Sequence, residues 1–412
     1  MLYNNLSEYL RKKYGKRMKK ICIDGGFTCP NRDGKCGTGG CIFCGERGSG
    51  EHIDASLSIK EQVNEALLNA TDDDLFIAYF QNFTNTYAPV EILKQRYDSA
   101  LCDSRIKILS IGTRPDCITD EIAKLISSYS ERYEVWVELG LQTANDETAK
   151  AINRGYDRRT FENAMDILRH YGIRVIVHLI IGLPGESLEN TISSADYLSQ
   201  FDLFGVKIHS LYVMSGTKLA EIYSKKRYTP PTLCEYADTA AEIISRLDPK
   251  IILHRITGDC PKDRLIAPEW NKNKSEIIDQ ICRKMTEKGY TQGSRARRIL
   301  QVASELENSG YSFEKRIKNV CFILNTRSLG LGEDTSFIAL TQDGEENVLI
   351  DDMCETHDAV WPRITEERFR EIAAAHSINT SEGKYLRLTV PYESEESLKR
   401  FIACLAEIEQ TR

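Results

Sequence analysis

The sequence predicts an α/β protein: a barrel or partial barrel of parallel strands, followed by a small α+β domain. Three observations carry this expectation. From about residue 19 to 260, short β-branched runs alternate with amphipathic segments, the pattern of repeated βα units. Beyond Gly310 the order becomes strand, strand, strand, helix, strand, helix. The charge changes at the same place. Residues 313–412 hold 12 basic and 19 acidic side chains, whereas residues 1–312 hold 42 basic and 42 acidic ones, so the net charge of -7 belongs to the last hundred residues.

Each element has a local reason. Strands are expected at residues 20–24, 75–80, 106–111, 134–139, 174–181 and 205–212, where β-branched and large apolar side chains gather, with a weaker pattern at 251–255. Between the first two, Ile59, Val63, Ala66, Leu67 and Ala70 recur at i, i+4, i+7, i+8 and i+11, one apolar stripe of a helix. Thr119 and Ser187 are expected helix caps, each with an acid soon after, Glu121 and Glu189, at the positive end of the helix dipole. Helices at 275–288 and 294–308 flank Gly289 and Gly293, and the last region reads as strands at 319–324, 337–341, 348–350 and 385–390 with helices at 366–376 and 395–408. The expected organisation is a barrel at 1–260, a helical extension at 261–312 and an acidic α+β domain at 313–412. In a barrel of this kind, polar and glycine-rich residues just past the strand ends gather at one face, where the chemistry belongs.

Sulfur is the first sign of that chemistry. The chain has 13 cysteines, and five of them, Cys22, Cys29, Cys36, Cys41 and Cys44, fall within residues 22–44. No stretch approaches the length of apolar sequence that a membrane span needs, and residues 1–10 lack the features of a secretory signal, so a cytoplasmic location without a membrane is expected. In a reducing compartment such a cluster is a metal or cofactor site before it is a set of disulfides. The loop at 25–50 follows the first strand, its glycines let the backbone wrap a compact object, and Cys41-x-x-Cys44 places two thiolates within one turn. Cys29 and Cys36 both qualify as the upstream third ligand. Three readings compete on these residues alone: buried incidental thiols, a four-thiolate zinc site in a non-catalytic binding module, and an iron–sulfur cluster with three protein ligands.

The rest of the chain separates them. Cys41-Ile42-Phe43-Cys44 resembles the closing Cys-x-aromatic-Cys of the radical S-adenosylmethionine (SAM) superfamily, although eleven residues separate Cys29 from Cys41 where most members have three. The run Cys29-Pro-Asn-Arg-Asp-Gly, together with Tyr79-Phe80-Gln81, Gly112-Thr-Arg-Pro-Asp116, Glu138-Leu-Gly-Leu-Gln-Thr143, Asn153-Arg-Gly155, Gly182-Leu-Pro-Gly-Glu186, Lys207-Ile-His-Ser-Leu211 and His254-Arg-Ile-Thr-Gly-Asp259, is similar to the YhcC/YtqA-type family. The resemblance runs from about residue 3 to 300. It implies a partial (β/α)6 TIM-like barrel and a [4Fe–4S] cluster on Cys29, Cys41 and Cys44. One iron of that cluster is left for SAM, which is cleaved reductively to a 5′-deoxyadenosyl radical that takes a hydrogen atom from the substrate.

By the same resemblance, Gln81 and Asn82 at the end of strand two face the methionyl amino group, Thr113 reaches the ribose or the substrate, and Ile181-Gly182 lies along adenine. Glu138, a carboxylate within an apolar run, needs a partner and joins Gln142 at the end of strand four. Arg154 is suited to the cofactor carboxylate by its bidentate guanidinium. His178, His209 and His254 lie in expected strands, and alternation puts Lys207 and His209 on one face, so Lys207, His209, Arg255 and Tyr79 are the expected catalytic side chains.

Seven basic residues lie between positions 11 and 20, just before the cofactor loop and so expected near the barrel entrance, and Arg295, Arg297 and Arg298 form a second group; such runs suit phosphate. The family also resembles the radical subunit of Elongator. That likeness implies tRNA as substrate, and in its concrete form the conversion of 5-carboxymethylaminomethyluridine at the wobble position to 5-aminomethyluridine. The alternative substrate is a small metabolite or peptide. A flavodoxin or ferredoxin is the implied electron donor, and the acidic C-terminal domain is expected to meet a protein partner or a second copy.

Overall fold

The computed structural model describes residues 2–48, 53–296, 313–317, 321–324, 338–343, 347–352, 366–376, 379–381, 387–391, 400, 403–404 and 407. Arg297, Arg298, Cys354 and most of the helices expected at 294–308 and 395–408 lie outside the described residues. The chain divides into two compact units. One is Met1–Tyr197, Leu203–Ser245 and Lys250–Gln292; the other is Leu198–Asp202, Arg246–Pro249 and Gly293–Arg412.

The first unit begins with α1 (Leu6–Tyr14) and β1 (Met18–Ile23), then α2 (Ile59–Leu67), β2 (Leu75–Phe80), α3 (Val90–Ala100), β3 (Ile106–Thr113), α4 (Asp120–Ser128) and β4 (Glu134–Gln142). It continues with α5 (Asp146–Ala151), α6 (Arg158–His170), β5 (Arg174–Ile181), α7 (Leu188–Leu198), β6 (Gly205–Ser210), β7 (Val213–Met214), α8 (Lys218–Ser224), α9 (Leu233–Arg246), β8 (Ile252–Arg255), β9 (Leu265–Ala267) and α10 (Lys274–Glu287). Strands β1 to β6 and β8 pair in that order and all run parallel, forming a curled half barrel. The weak pattern at 251–255 is the seventh strand. The expected strand at 205–212 stops at Ser210, because Leu211 N turns to bond Ile181 O and Val213–Met214 pairs antiparallel with β9.

Alternation divides each strand between helix layer and lumen. Ile21 and Ile23 of β1 are buried, whereas Lys20 lies over the ring of Tyr79 on the lumen side. The caps fit the sequence reading. Thr119 accepts from Ile122 N and Ser187 Oγ from Asn190 N, and Ser58 with Glu61 makes a reciprocal capping box at α2.

Helix α1 closes the N-terminal end of the lumen. Asn5 caps it, Gly15 at φ +77° ends it, and Leu6, Tyr9 and Leu10 pack on Ile77, Ile108, Trp136 and Ile176 near the strand starts. This corrects the placing of the basic run beside the cofactor loop. Lys13 pairs with Glu134, Lys16 with Asp73 and Lys19 with Asp74, all at the opposite end of the sheet from the loop that follows β1. A segment that precedes a strand lies at that strand's start, so chain direction alone separates the two.

Glu134 joins α1 to the sheet. It accepts from Tyr9 Oη at 2.6 Å, Lys13 Nζ at 2.7 Å, Tyr14 Oη at 2.7 Å and Trp136 Nε1 at 2.9 Å, and it pairs with Arg174. Burial alone raises its pKa, but the bonds from Lys13, Tyr9, Tyr14 and Trp136 outweigh this and bring it to about 2. Its folded pKa lies below the unfolded value, so its contribution is present above the usual carboxylate range and is lost as pH falls toward 2. Glu134→Gln is therefore expected to cost about 3 kcal/mol at neutral pH and to flatten the acid limb of stability, read from urea midpoints between pH 7 and 3.

The second unit contains a six-stranded antiparallel sheet. Its elements are β10 (Phe313–Ile317), β11 (Cys321–Leu324), β12 (Ile338–Asp343), β13 (Asn347–Asp352), α11 (Glu366–Ala375), β14 (Asn379–Ser381) and β15 (Arg387–Pro391), in sheet order β10-β11-β12-β13-β15-β14. The sequence reading missed β10 and β14, both short and rich in polar residues. No helix among the described residues is long and apolar enough to cross a membrane.

Candidate active site

The loop after β1 is fixed by its neighbours. Ile42, between the two closing cysteines, is buried in an apolar cluster with Ile152, Leu183, Leu211 and Leu219, and its backbone bonds Ile152 O at 3.1 Å and Leu219 N at 2.8 Å. Cys41 and Cys44 are thus held from outside the loop. Asn31 is fully buried and donates to Asn153 O at 2.6 Å, while Asn153 Nδ2 donates back to Gly40 O at 2.7 Å. Gly40, at φ +73°, occupies a left-handed turn that favours glycine. Arg32 Nη2 reaches Gly45 O at 2.5 Å and its guanidinium lies over Phe83. The hydrogen bond from Cys41, with Arg32 beside it, lowers the Cys44 thiol to about 7 against the effect of burial.

A cavity of about 240 Å³ opens beside these thiols at the C-terminal ends of the strands. Cys29, Cys41 and Cys44 all line it; Cys36 does not, and is exposed. Of the other expected residues, Tyr79, Gln81, Thr113, Glu138, Gln142 and His209 line it too. Thr113 shares a 2.6 Å hydrogen bond with Thr86, whose hydroxyl donates to Cys117 O, so Thr113 donates and turns its lone pairs elsewhere. Gln142 at φ +61° follows a register break in β4, which turns its side chain to the mouth.

Glu138 is the polar centre of the lumen. It is 1% exposed, accepts from Ser110 Oγ at 2.8 Å, contacts His178 Nε2 at 2.8 Å and pairs closely with Lys207. Burial would raise its pKa, but Lys207 and His178 hold it well below the carboxylate range. Burial brings Lys207 down to about 7 despite that partner, and it lowers His178 as well. A neutral His178 giving Nε2–H to Glu138 keeps Nδ1 as an acceptor toward the cavity it lines. Lys207 Nζ also lies 3.3 Å from Tyr79 Oη and 4.4 Å from its ring centroid.

Several expected residues lie elsewhere. Arg154 is fully buried, with its guanidinium bonding Leu141 O at 2.6 Å, Thr143 O at 2.7 Å and Tyr156 O at 2.9 Å, so it braces the irregular end of β4 and does not line the cavity. Asn82 is buried behind the wall and donates to Asp24 at 2.6 Å. Ile181 is in the core, and Gly182 packs against Pro231 with its carbonyl bonded by Tyr228, away from the cavity lining. Arg255 pairs with Asp259, and it is Asp259 that reaches the rim. His254 is a core ring against Trp136 and Phe204. The sequence reading missed Tyr156, whose ring lies under Arg114 at 4.8 Å and Arg154 at 4.5 Å and which lines the cavity. Arg114, clamped bidentately on Asp116, lines it too. Nothing local in Arg-Gly-Tyr signals either contact.

The residues present fit a cluster with SAM. Thr84 Oγ1 and His209 Nε2 are buried polar atoms on cavity-lining residues with no partner among the described residues. At Gly112 an added Cβ would meet Phe80 O at 3.0 Å, so the wall is already at its closest approach. No three His, Cys, Asp or Glu side chains among the described residues converge on a point that could hold one metal ion. A cluster takes each thiolate at a separate iron and does not need them to converge on one point.

The fold and the thiol-lined mouth define the class: the chain belongs to the radical SAM superfamily, with residues 33–198 matching the superfamily and residues 203–287 its C-terminal domain. Members of this superfamily use a [4Fe–4S] cluster and SAM. Within it the family is the YhcC/YtqA type: the chain is 36% identical over 301 residues to the uncharacterized protein YtqA of Bacillus subtilis, covering 72% of this chain and 94% of that protein. A tRNA uridine(34) acetyltransferase of Dehalococcoides mccartyi is 32% identical over 157 residues, 37% of this chain and 33% of that protein. The solved Elp3 of Methanocaldococcus infernus, lacking its N-terminus, shares the fold with a TM-score of 0.52 at 17% identity, covering 85% of this chain and 80% of that one.

Proposed function

We propose that this radical SAM enzyme holds its cluster on Cys29, Cys41 and Cys44 and acts on tRNA, converting 5-carboxymethylaminomethyluridine at the wobble position to 5-aminomethyluridine. The observation that carries the cluster assignment is the shared cavity: three of the loop's thiols line it and the exposed Cys36 does not. The superfamily match begins at residue 33, after Cys29, so the choice between Cys29 and Cys36 rests on this geometry. The partial likeness to a tRNA uridine(34) acetyltransferase supports the substrate. The surface cations of the run at 11–20 lend it nothing, since Lys13, Lys16 and Lys19 are paired at the far end of the lumen.

When bound, the cluster and SAM supply the hydrogen-abstracting radical of this superfamily. The chain's own residues do the rest. Gln81, Thr113, Gln142, Thr84 and Tyr156 bind and orient the cofactor at the mouth. Tyr79, Lys207 and His209 face the substrate, with Glu138 positioning Lys207 and His178. Lys207, poised near pH 7, can hold or give a proton at Nζ. Arg255, through Asp259, sets the rim. A flavodoxin or ferredoxin supplies electrons.

Reconstituted enzyme, SAM and reductant are incubated with tRNA from a strain lacking the gene, and the nucleosides are measured by mass spectrometry. Gain of 5-aminomethyluridine with matching loss of its carboxymethyl precursor is expected. An unchanged uridine profile alongside active SAM cleavage would sink the tRNA reading and favour the small metabolite or peptide.

A further inference from the structure

One cation in the lumen has no carboxylate partner among the described residues. Lys20 stands on β1 two residues below Cys22, on the lumen side, with Nζ 5.5 Å from the ring centroid of Tyr79. Lys207 lies 4.4 Å from the same ring. The other cations named here each have a carboxylate partner: Lys207 has Glu138, and Arg255 at 3.2 Å and the half-exposed Lys274 at 2.5 Å share Asp259. Lys20 makes no hydrogen bond and no ion pair among the described residues. It is part-buried, and burial lowers its pKa, with Arg255 adding to that effect and Glu138 opposing it. An uncompensated ammonium in such surroundings is unfavourable unless something anionic completes the site.

We infer that Lys20 is the binding residue for an anionic group of the substrate, and that this group is a carboxylate seated in the lumen beside Tyr79. The partnerless group is a single ammonium, which one carboxylate balances. The surroundings set the position: the Tyr79 ring is flanked by Lys20 and Lys207, so a carboxylate on Lys20 places its adjacent carbon against Tyr79, on the wall of the cavity that the three thiols also line. This deepens the reading above and rests on it for the identity of the substrate, because a carboxymethylamino substituent carries one carboxylate at the end of a short arm. It does not depend on the basic surface of α1.

Two measurements on the chain test the inference. The first follows carbamylation of Lys20 by cyanate, read by peptide mass spectrometry, with methoxyacetate, its neutral primary amide or inorganic phosphate present. Slowing of several fold by methoxyacetate, with none by the amide, is expected. No protection by methoxyacetate, or stronger protection by phosphate, overturns the carboxylate assignment. The second uses the reconstituted enzyme on tRNA carrying the carboxymethylated uridine. Lys20→Gln is expected to raise KM about 30-fold with kcat much less affected, and Lys20→Arg to recover most of the loss. A KM unchanged in Lys20→Gln overturns the inference. If the tRNA is not turned over at all, the first measurement still decides on Lys20 and only the uridine reading fails.

Discussion

Cys29→Ala, Cys41→Ala and Cys44→Ala are each expected to yield a chain that folds but no longer retains iron or the broad visible absorbance of thiolate–iron charge transfer after anaerobic reconstitution, with 5′-deoxyadenosine formation down more than about 100-fold. Cys36→Ala is expected to keep all three. The contrast follows from position. Cys29, Cys41 and Cys44 line one cavity, whereas Cys36 is exposed on the part of the loop where its own N–H bonds Pro30 O. Folding should survive because Ile42, buried between Leu219 and Ile152, and Asn31, bonded to Asn153, hold the loop without using a thiol. If Cys36→Ala loses iron while Cys29→Ala keeps it, the ligand assignment is wrong. Treatment of the wild-type protein with an iron chelator should reproduce the cysteine variants in activity.

The order of βα units was legible because each strand is a short apolar run and each helix a period of 3.6, both local signals. The Cys41-x-x-Cys44 pair and the role of Glu138 as a partnered buried acid were legible for the same reason, since a carboxylate inside Val-Trp-Val-Glu-Leu needs company whatever the fold. What escaped was set by groups distant in sequence. Arg154 looks like a ligand for a cofactor carboxylate, but the register break between Gly140 and Gln142 leaves the carbonyls of Leu141 and Thr143 without strand partners, and its guanidinium meets them. Asn153 and Gly155 likewise serve the cysteine loop: Asn153 bonds Gly40 O, and a Cβ on Gly155 would come within 3.1 Å of Asn31 Oδ1. The motif Asn153-Arg154-Gly155 is therefore a buttress. Its residue types gave no hint of this, because a buttress and a binding site use the same polar groups.

The basic run shows the converse case, in which the information was present. Asn5 and Gly15 bound α1 by ordinary capping chemistry, and a helix preceding β1 must lie at its start, opposite the loop at its end. Of the seven cations between residues 11 and 20, Lys13, Lys16 and Lys19 pair with carboxylates at the closed end of the lumen, and Arg11, Lys12, Arg17 and, over Tyr79 within the lumen, Lys20 are the ones without a carboxylate partner among the described residues. Of these only Lys20 faces inward. A charge count along the sequence cannot make that distinction; strand alternation can, once the first residue of the strand is known.

Glu138→Gln is expected to be the most damaging single change in the lumen. The amide can still accept from Ser110 or His178, but it leaves the Lys207 ammonium without a counter-ion in surroundings where burial already lowers its pKa to about 7. Breaking one side of a buried pair in this way costs about 3 kcal/mol or more. The loss should depend on pH in a definite direction. Without Glu138, Lys207 stays neutral in the folded chain to still lower pH, while in the unfolded chain it is charged up to its ordinary range near pH 10. Above pH 7 Lys207 is mostly neutral in both folded proteins, so the two differ little in how they titrate. Below pH 7 the wild type regains a charged pair and the variant does not, and the deficit grows. Urea midpoints at pH 6 and pH 9 should therefore show the larger loss at pH 6, together with near-complete loss of substrate turnover. An equal loss at both values would mean that Glu138 acts by packing and not by charge, and would remove Lys207 as the proton carrier for the reaction, because its poise near pH 7 depends on the carboxylate beside it.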